Sequence, residues 1–260
     1  MSTSSNARAP QTQTTKPNVI ILTSGLSGSS VLTGLIARQN YWTGVDTMKK
    51  EYDTFENIDL VRLNKRLIAE VGFSGPYTME FHQEPLDRIA ALNPAVNGTP
   101  YREFLGECER HEPWIWKDPR LWLTIRYWNR LLDWNRCKAI VLTRDLRHHW
   151  VSMTLRRQIQ SFAAMKRYET SIERSLLQFV DSSGIDLLRL SFEDLIATPE
   201  KTLDRLNRHI GSNLTVSDLK AIYRGELYQA PRNSLRDFVT AGLIYAKNRS
   251  ERWDLREGKT

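Results

Sequence analysis

The chain has 260 residues, 40% hydrophobic and 26% charged, an ordinary globular balance that excludes a wholly disordered chain, a fibrous repeat and a coiled coil. Its two cysteines, Cys108 and Cys137, exclude a disulfide framework and a cysteine-built zinc site, so a reducing, cytoplasmic setting is expected. Against 30 acidic residues stand 37 basic ones, a net charge of +7 that favours anionic ligands. The basic residues form no long run and no nucleic-acid module is recognisable, so a small phosphorylated ligand is expected and nucleic acid is not.

Residues 1–17 are rich in Ser, Thr, Gln and Asn, carry no signal-peptide pattern, and are expected to form a disordered tail ahead of a single domain over 18–260. No apolar run reaches the roughly 20 residues of a membrane span. From residue 18 a β-branched apolar run predicts a buried strand over 18–23, then a loop of small residues over 24–30 and a helix over 31–39. Helical spacing continues over 60–71, 80–91 and 101–110, with a loop at 93–100. A short strand is predicted at 114–117, a helix at 121–132, a second buried strand at 137–143 and a helix at 147–157. Helix 172–183, strand 186–190, a turn at 192–195 and helix 199–210 follow; beyond 211 the pattern weakens to a helix at 217–224 and a polar, mobile end over the last twenty residues. Strands alternating with helices at this spacing predict an α/β fold: a three-layer domain around a parallel sheet of four or five strands.

Two segments carry chemistry. In the loop Ser24-Gly25-Leu26-Ser27-Gly28-Ser29-Ser30, small residues let successive N–H groups turn toward an anion at the N-terminus of the next helix. It is not a Walker A loop, because the lysine of that motif is missing. In the second segment Arg144 closes a strand and Ser152 lies eight residues on, in the next helix. A guanidinium fork and a hydroxyl so placed converge on one phosphate, at the strand ends where parallel sheets hold their ligands.

Together these segments resemble the sulfotransferases that use 3′-phosphoadenosine 5′-phosphosulfate, in their bacterial, P-loop-like form. Leu26-Ser27-Gly28-Ser29-Ser30 is similar to that family's K/R-S-G-T-T/S phosphosulfate loop, and Arg144 with Ser152 to its R-x7-S motif for the 3′-phosphate. Leu188 to Leu195 followed by Pro199 resembles its Y-E-D-L…P segment, and Lys117-Asp118-Pro119-Arg120 its bacterial K-x-P-R segment. The resemblance spans residues 18–211 and implies sulfuryl transfer to a small hydroxyl or amine acceptor, leaving 3′,5′-adenosine bisphosphate, with no metal. It implies nucleotide contacts from Gly25, Ser27, Gly28, Ser29, Ser30, Arg144 and Ser152. One departure stands out: Leu26 occupies the loop's basic position, and Lys117 is the expected replacement, stabilising the leaving phosphate.

Where the cytosolic branch has a basic histidine this chain has Pro119, whereas Tyr52 to Asn57 resembles the bacterial G-Y-F-E-D segment. Glu56 is therefore the expected general base, with Asp53, His82 and Arg120 on the acceptor side. Trp114, Trp116, Trp122, Trp128 and Trp134 fit either core packing or an apolar acceptor pocket. His148 and His149 are expected to be helix residues near the phosphate site. Arg232, after Pro231, is in the region where relatives place a further 3′-phosphate contact, but the G-x-x-G that accompanies it there is missing, so it is not counted among the site residues. Two other readings fit the residues: a P-loop-like nucleotide phosphotransferase and a non-catalytic nucleotide-binding protein.

Overall fold

The computed structural model describes residues 16–49, 52–223 and 235–252. Asn18–Leu22 forms β1, buried at every position because both faces of the strand are covered, and it feeds α1 (Ser29–Ala37). A hairpin follows that the sequence pattern does not announce: β2 (Thr47–Lys49) pairs antiparallel with β3 (Asp53–Asn57). Asn57 then caps α2 (Ile58–Glu70), its side chain accepting the Asp59 and Leu60 N–H groups. α3 (Gln83–Ala91) starts later than the expected 80, and the expected loop at 93–100 instead holds a helical turn, α4 (Pro94–Asn97), and the start of α5 (Thr99–Arg110). Proline in the first turn of α4 and of α5 suits a helix start, where its missing N–H has no partner to lose.

β4 (Ile115–Lys117) leads into α6 (Leu121–Trp128), which ends short of the expected 132. β5 (Cys137–Thr143) precedes α7 (Leu146–Leu155), capped by Asp145. Ser161 caps α8 (Phe162–Ser183), which begins well ahead of the expected 172. β6 (Leu187–Ser191) is followed by α9 (Phe192–Ala197), where a turn was expected, then α10 (Pro199–Ile210), α11 (Val216–Ala221) and α12 (Leu235–Lys247). The C-terminal stretch expected to be polar and mobile thus carries the end of α12 and a 3₁₀ turn at Arg249–Glu251. Most of the expected tail and Arg232 lie outside the described residues; Lys16, inside them, donates to the Gln39 carbonyl at 3.2 Å.

The sheet is parallel throughout, in the order β4-β1-β5-β6, with Val19 opposite Ile115, Ile20 opposite Ala139 and Leu142 opposite Leu190. Alternate side chains of β1 enter different cores. Ile20 and Leu22 pack with residues of α2, α3, α5, α6 and α8, while Val19 and Ile21 pack with α1, α10 and α11. The domain is therefore three layers deep around four strands, and the tryptophans are core residues. Trp114, Trp116, Trp122 and Trp128 are buried in the first core, and Trp134 packs on its edge. The carboxyl ends of β1, β4 and β5 share one side of the sheet, which fixes where a ligand can sit.

Candidate active site

A cavity of about 560 Å³ opens at those strand ends. The loop after β1 forms one wall. Gly25, Leu26 and Gly28 adopt positive φ angles of 98°, 49° and 82°, and so turn the chain sharply onto the N-terminus of α1. At Gly28 nothing larger fits: a Cβ would lie 2.2 Å from the Phe192 ring. Gly25, Gly28, Ser29 and Ser30 line the cavity. Ser27 does not; it is buried, and its hydroxyl meets that of Thr23. That contact ties the two ends of the turn together.

Arg144 leaves the end of β5 and donates through Nη1 to the Leu26 carbonyl at 2.7 Å, with its guanidinium 5.7 Å over the Phe192 ring. It thereby ties the loop to the neighbouring strand while lining the cavity. Ser152, on α7, also lines the cavity; its Oγ is buried and has no hydrogen-bond partner among the described residues. A buried hydroxyl left open beside a cavity suits an arriving acceptor such as a phosphate oxygen.

Lys117 ends β4 only 2% exposed, its Nζ 2.7 Å from Glu56 Oε1 and 3.4 Å from Ser30 Oγ. Glu56 reaches it from β3 through a turn in which Phe55 takes a φ of 54°, a left-handed conformation costly for an aromatic residue. Two contacts hold that turn. The Asp53 carboxylate accepts the Phe55 N–H at 2.8 Å, and the Phe55 ring lies where a side chain on Gly34 would have to go. The sequence-predicted base, cation and loop therefore meet at one point.

The acceptor-side expectations divide. Arg120 lines the cavity, bonded to the fully buried Asp118 at 2.7 Å and lying 4.9 Å over the Tyr77 ring. Burial works against its charge, but Asp118 and the neighbouring groups outweigh it and raise the guanidinium above its ordinary value. Asp53 and His82 do not line the cavity. Asp53 is engaged by Thr47, Lys49 and the Phe55 N–H; burial pushes its carboxyl up, and these partners more than reverse that, leaving it lowered. His82 pairs with Glu80 at 2.8 Å, away from the cavity.

A cluster that sequence reasoning missed lies behind the loop. Ser24 donates through Oγ to Glu169 Oε2 at 2.7 Å, and Tyr168 donates to the carbonyls of Ser24 and Tyr77 at 3.1 and 2.9 Å. Complete burial holds the Tyr168 phenol well above its ordinary value, so it stays a donor. His149 Nδ1 lies 3.2 Å from Glu169 Oε1, and His149 lines the cavity. His148, its neighbour, instead pairs with Glu193 and Asp145. The first half of α8 supplies Tyr168 and Glu169, and no strand-end motif points there.

No protein-family model matches the chain, and no curated protein does. Solved structures do. The sulfotransferase domain of the olefin synthase from Synechococcus PCC 7002 aligns with a TM-score of 0.54 at 19% identity, covering 93% of this chain and 98% of that one. The sulfotransferase domain from the curacin biosynthetic pathway aligns with a TM-score of 0.50 at 16% identity, covering 85% and 82%. The chain thus has the P-loop-like α/β fold of sulfotransferase domains, a parallel sheet of four strands flanked by helices. Among the described residues no helix is long and apolar enough to cross a membrane, and no group of three or more His, Cys, Asp or Glu could hold a metal ion.

Proposed function

We propose that the protein transfers a sulfuryl group from 3′-phosphoadenosine 5′-phosphosulfate to a small hydroxyl acceptor. The observation that carries this reading is the Lys117–Glu56 pair beside Ser30, in the same cavity as Arg144 and Ser152. The cavity fits the nucleotide in one respect: Ser152 offers a buried hydroxyl that has no hydrogen-bond partner among the described residues. Bound there, the nucleotide supplies the activated sulfuryl group.

The residues then divide the work. The N–H groups at the start of α1 and the Ser29 and Ser30 hydroxyls receive the 5′-phosphosulfate end, and Arg144 with Ser152 receives the 3′-phosphate. Glu56 takes the proton of the acceptor hydroxyl as its oxygen forms a bond to sulfur. The bond from sulfur to the 5′-phosphate oxygen breaks, and that oxygen keeps the electron pair as part of 3′,5′-adenosine bisphosphate. Lys117 stabilises the charge gathering on it.

Thermal shift tests the reading first. At 100 times its dissociation constant, 3′,5′-adenosine bisphosphate stabilises the protein by about 2.7 kcal/mol, while ATP with magnesium does not. A shift with ATP–magnesium alone moves the protein to the phosphotransferase reading. Incubation with sulfur-labelled nucleotide and a panel of acceptors follows. Tight bisphosphate binding without any labelled product favours the non-catalytic reading.

A further inference from the structure

We propose that His149, with the Glu169 carboxylate beside its ring, donates from that ring to the 5′-phosphosulfate end of the nucleotide and supplies the contact that Leu26 cannot make. This inference rests on the nucleotide reading above and adds a binding residue to it.

One carboxylate lies between two walls of the cavity. Its Oε2 accepts from Ser24, the first residue of the loop, and its Oε1 lies 3.2 Å from His149 Nδ1 on α7. The imidazole is therefore beside the start of the loop, one helical turn before Ser152, and only 2% exposed. Nδ1 is turned to Glu169, so the Nε2 edge is the one left to the cavity that His149 lines. The 3.2 Å approach of His149 Nδ1 and Glu169 Oε1 is a contact without hydrogen-bond geometry, so the carboxylate stands beside the ring as a charge on the side away from the proposed ligand. The loop itself provides no cation: Leu26 stands at its basic position, and its carbonyl is taken by Arg144. Lys117 approaches the loop from the other side, at Ser30. The two flanking groups thus enclose the anion that the loop would otherwise hold with backbone N–H groups alone. Glu169 acts through His149 and Ser24 and is a positioning residue.

Calorimetric titration of the full chain with three nucleotides tests the assignment. His149→Ala is expected to weaken adenosine 5′-phosphate and 3′,5′-adenosine bisphosphate roughly 10–100-fold, the worth of a charge-assisted hydrogen bond, and to leave adenosine 3′-phosphate unchanged. His149→Gln, whose amide can reach the Nε2 position, restores part of the loss. Ring-nitrogen NMR gives a readout that a merely structural role would not move. Of the five histidines, His149 alone shifts at Nε2 when adenosine 5′-phosphate is added, and in Glu169→Gln that shift is reduced while the fold is kept. Loss confined to adenosine 3′-phosphate would place His149 at the other phosphate and overturn the assignment, as would unchanged affinity for all three. If the unaltered protein binds none of the three, the nucleotide reading itself fails, which is a distinct result.

Discussion

At Glu56 and Arg144 the structure joins two roles in one side chain. Glu56 is both the expected base and the counter-charge of a lysine that is 2% exposed. In Glu56→Gln we expect turnover to fall about 10²–10⁴-fold, the usual worth of a general base. Bisphosphate affinity in that variant should equal or exceed that of the unaltered protein, because Lys117 is released toward the anion. Rapid-quench kinetics and calorimetry on one preparation check both halves; retained turnover would place the base elsewhere. Arg144 holds the Leu26 carbonyl as well as lining the cavity. Arg144→Ala should therefore weaken bisphosphate by about 2–4 kcal/mol and also cost adenosine 5′-phosphate some affinity, since the loop loosens. Titration of both ligands separates this from a pure 3′-phosphate contact, which would spare the second. Gly28→Ala combines a left-handed backbone with overlap of the Phe192 ring. A cost of about 2–4 kcal/mol is expected, read as a melting temperature lower by roughly 4–12 °C.

At the scale of elements, α10 buries His209 against the sheet, with Nε2 on the Ala139 carbonyl at 3.0 Å. Burial lowers its pKa; the Ala139 carbonyl and Asp186 oppose the shift without cancelling it. The unfolded chain then holds the His209 proton more tightly than the folded one. Stability is lost as pH falls through the ordinary imidazole value of 6.5, and the loss is complete once pH is below the lowered one. His209→Gln should flatten the decline in melting temperature between pH 7.5 and 5; an unchanged slope would assign that decline to other groups.

The elements also show what was legible beforehand. β1, β4 and β5 were readable as short apolar runs because a parallel strand covered on both faces needs no alternation, and the edge strand β6 was readable from its leucines despite the exposed Arg189. The start of α8 was not, although Met165, Tyr168, Ile172, Leu176 and Val180 fall on one buried face. Its first turns are dominated by small and charged residues, and the stripe is visible only once Ser161 is known to cap it. The β2–β3 hairpin was missed for a different reason: its register shifts between Thr47 and Lys49, so no period of two survives in the sequence. The consequences reach the site. The loop, Arg144, Ser152, Lys117 and Glu56 each carry a local signature or a resemblance. Ser24, His149 and Glu169 are brought together only by the packing of α7 on α8, which no local pattern encodes.

Across the whole molecule, the aromatic centre of the first core is separable from the cavity, whereas the second core contributes Val31 and Phe192 to its lining. Trp128 is buried in an aromatic group with Tyr101, Phe104 and Trp116, and its Nε1 donates to Asn64 at 2.8 Å. None of these aromatic residues lines the cavity. Trp128→Leu should cost about 2–4 kcal/mol of stability. Bisphosphate affinity of the folded fraction should stay within twofold, measured by calorimetry well below the new melting temperature. A matching loss of affinity would mean that the first core shapes the cavity directly.

The pair between Lys117 and Glu56 also has a kinetic consequence. An acceptor that enters the empty cavity meets a carboxylate already engaged by an ammonium group at 2.7 Å. Once anionic oxygens share that ammonium from the side of Ser30, the carboxylate is free to turn to a hydroxyl. Catalysis should therefore proceed by compulsory order, nucleotide first and acceptor second. In initial-rate experiments the bisphosphate would then compete with the nucleotide yet inhibit noncompetitively against the acceptor, and the sulfated product would compete with neither.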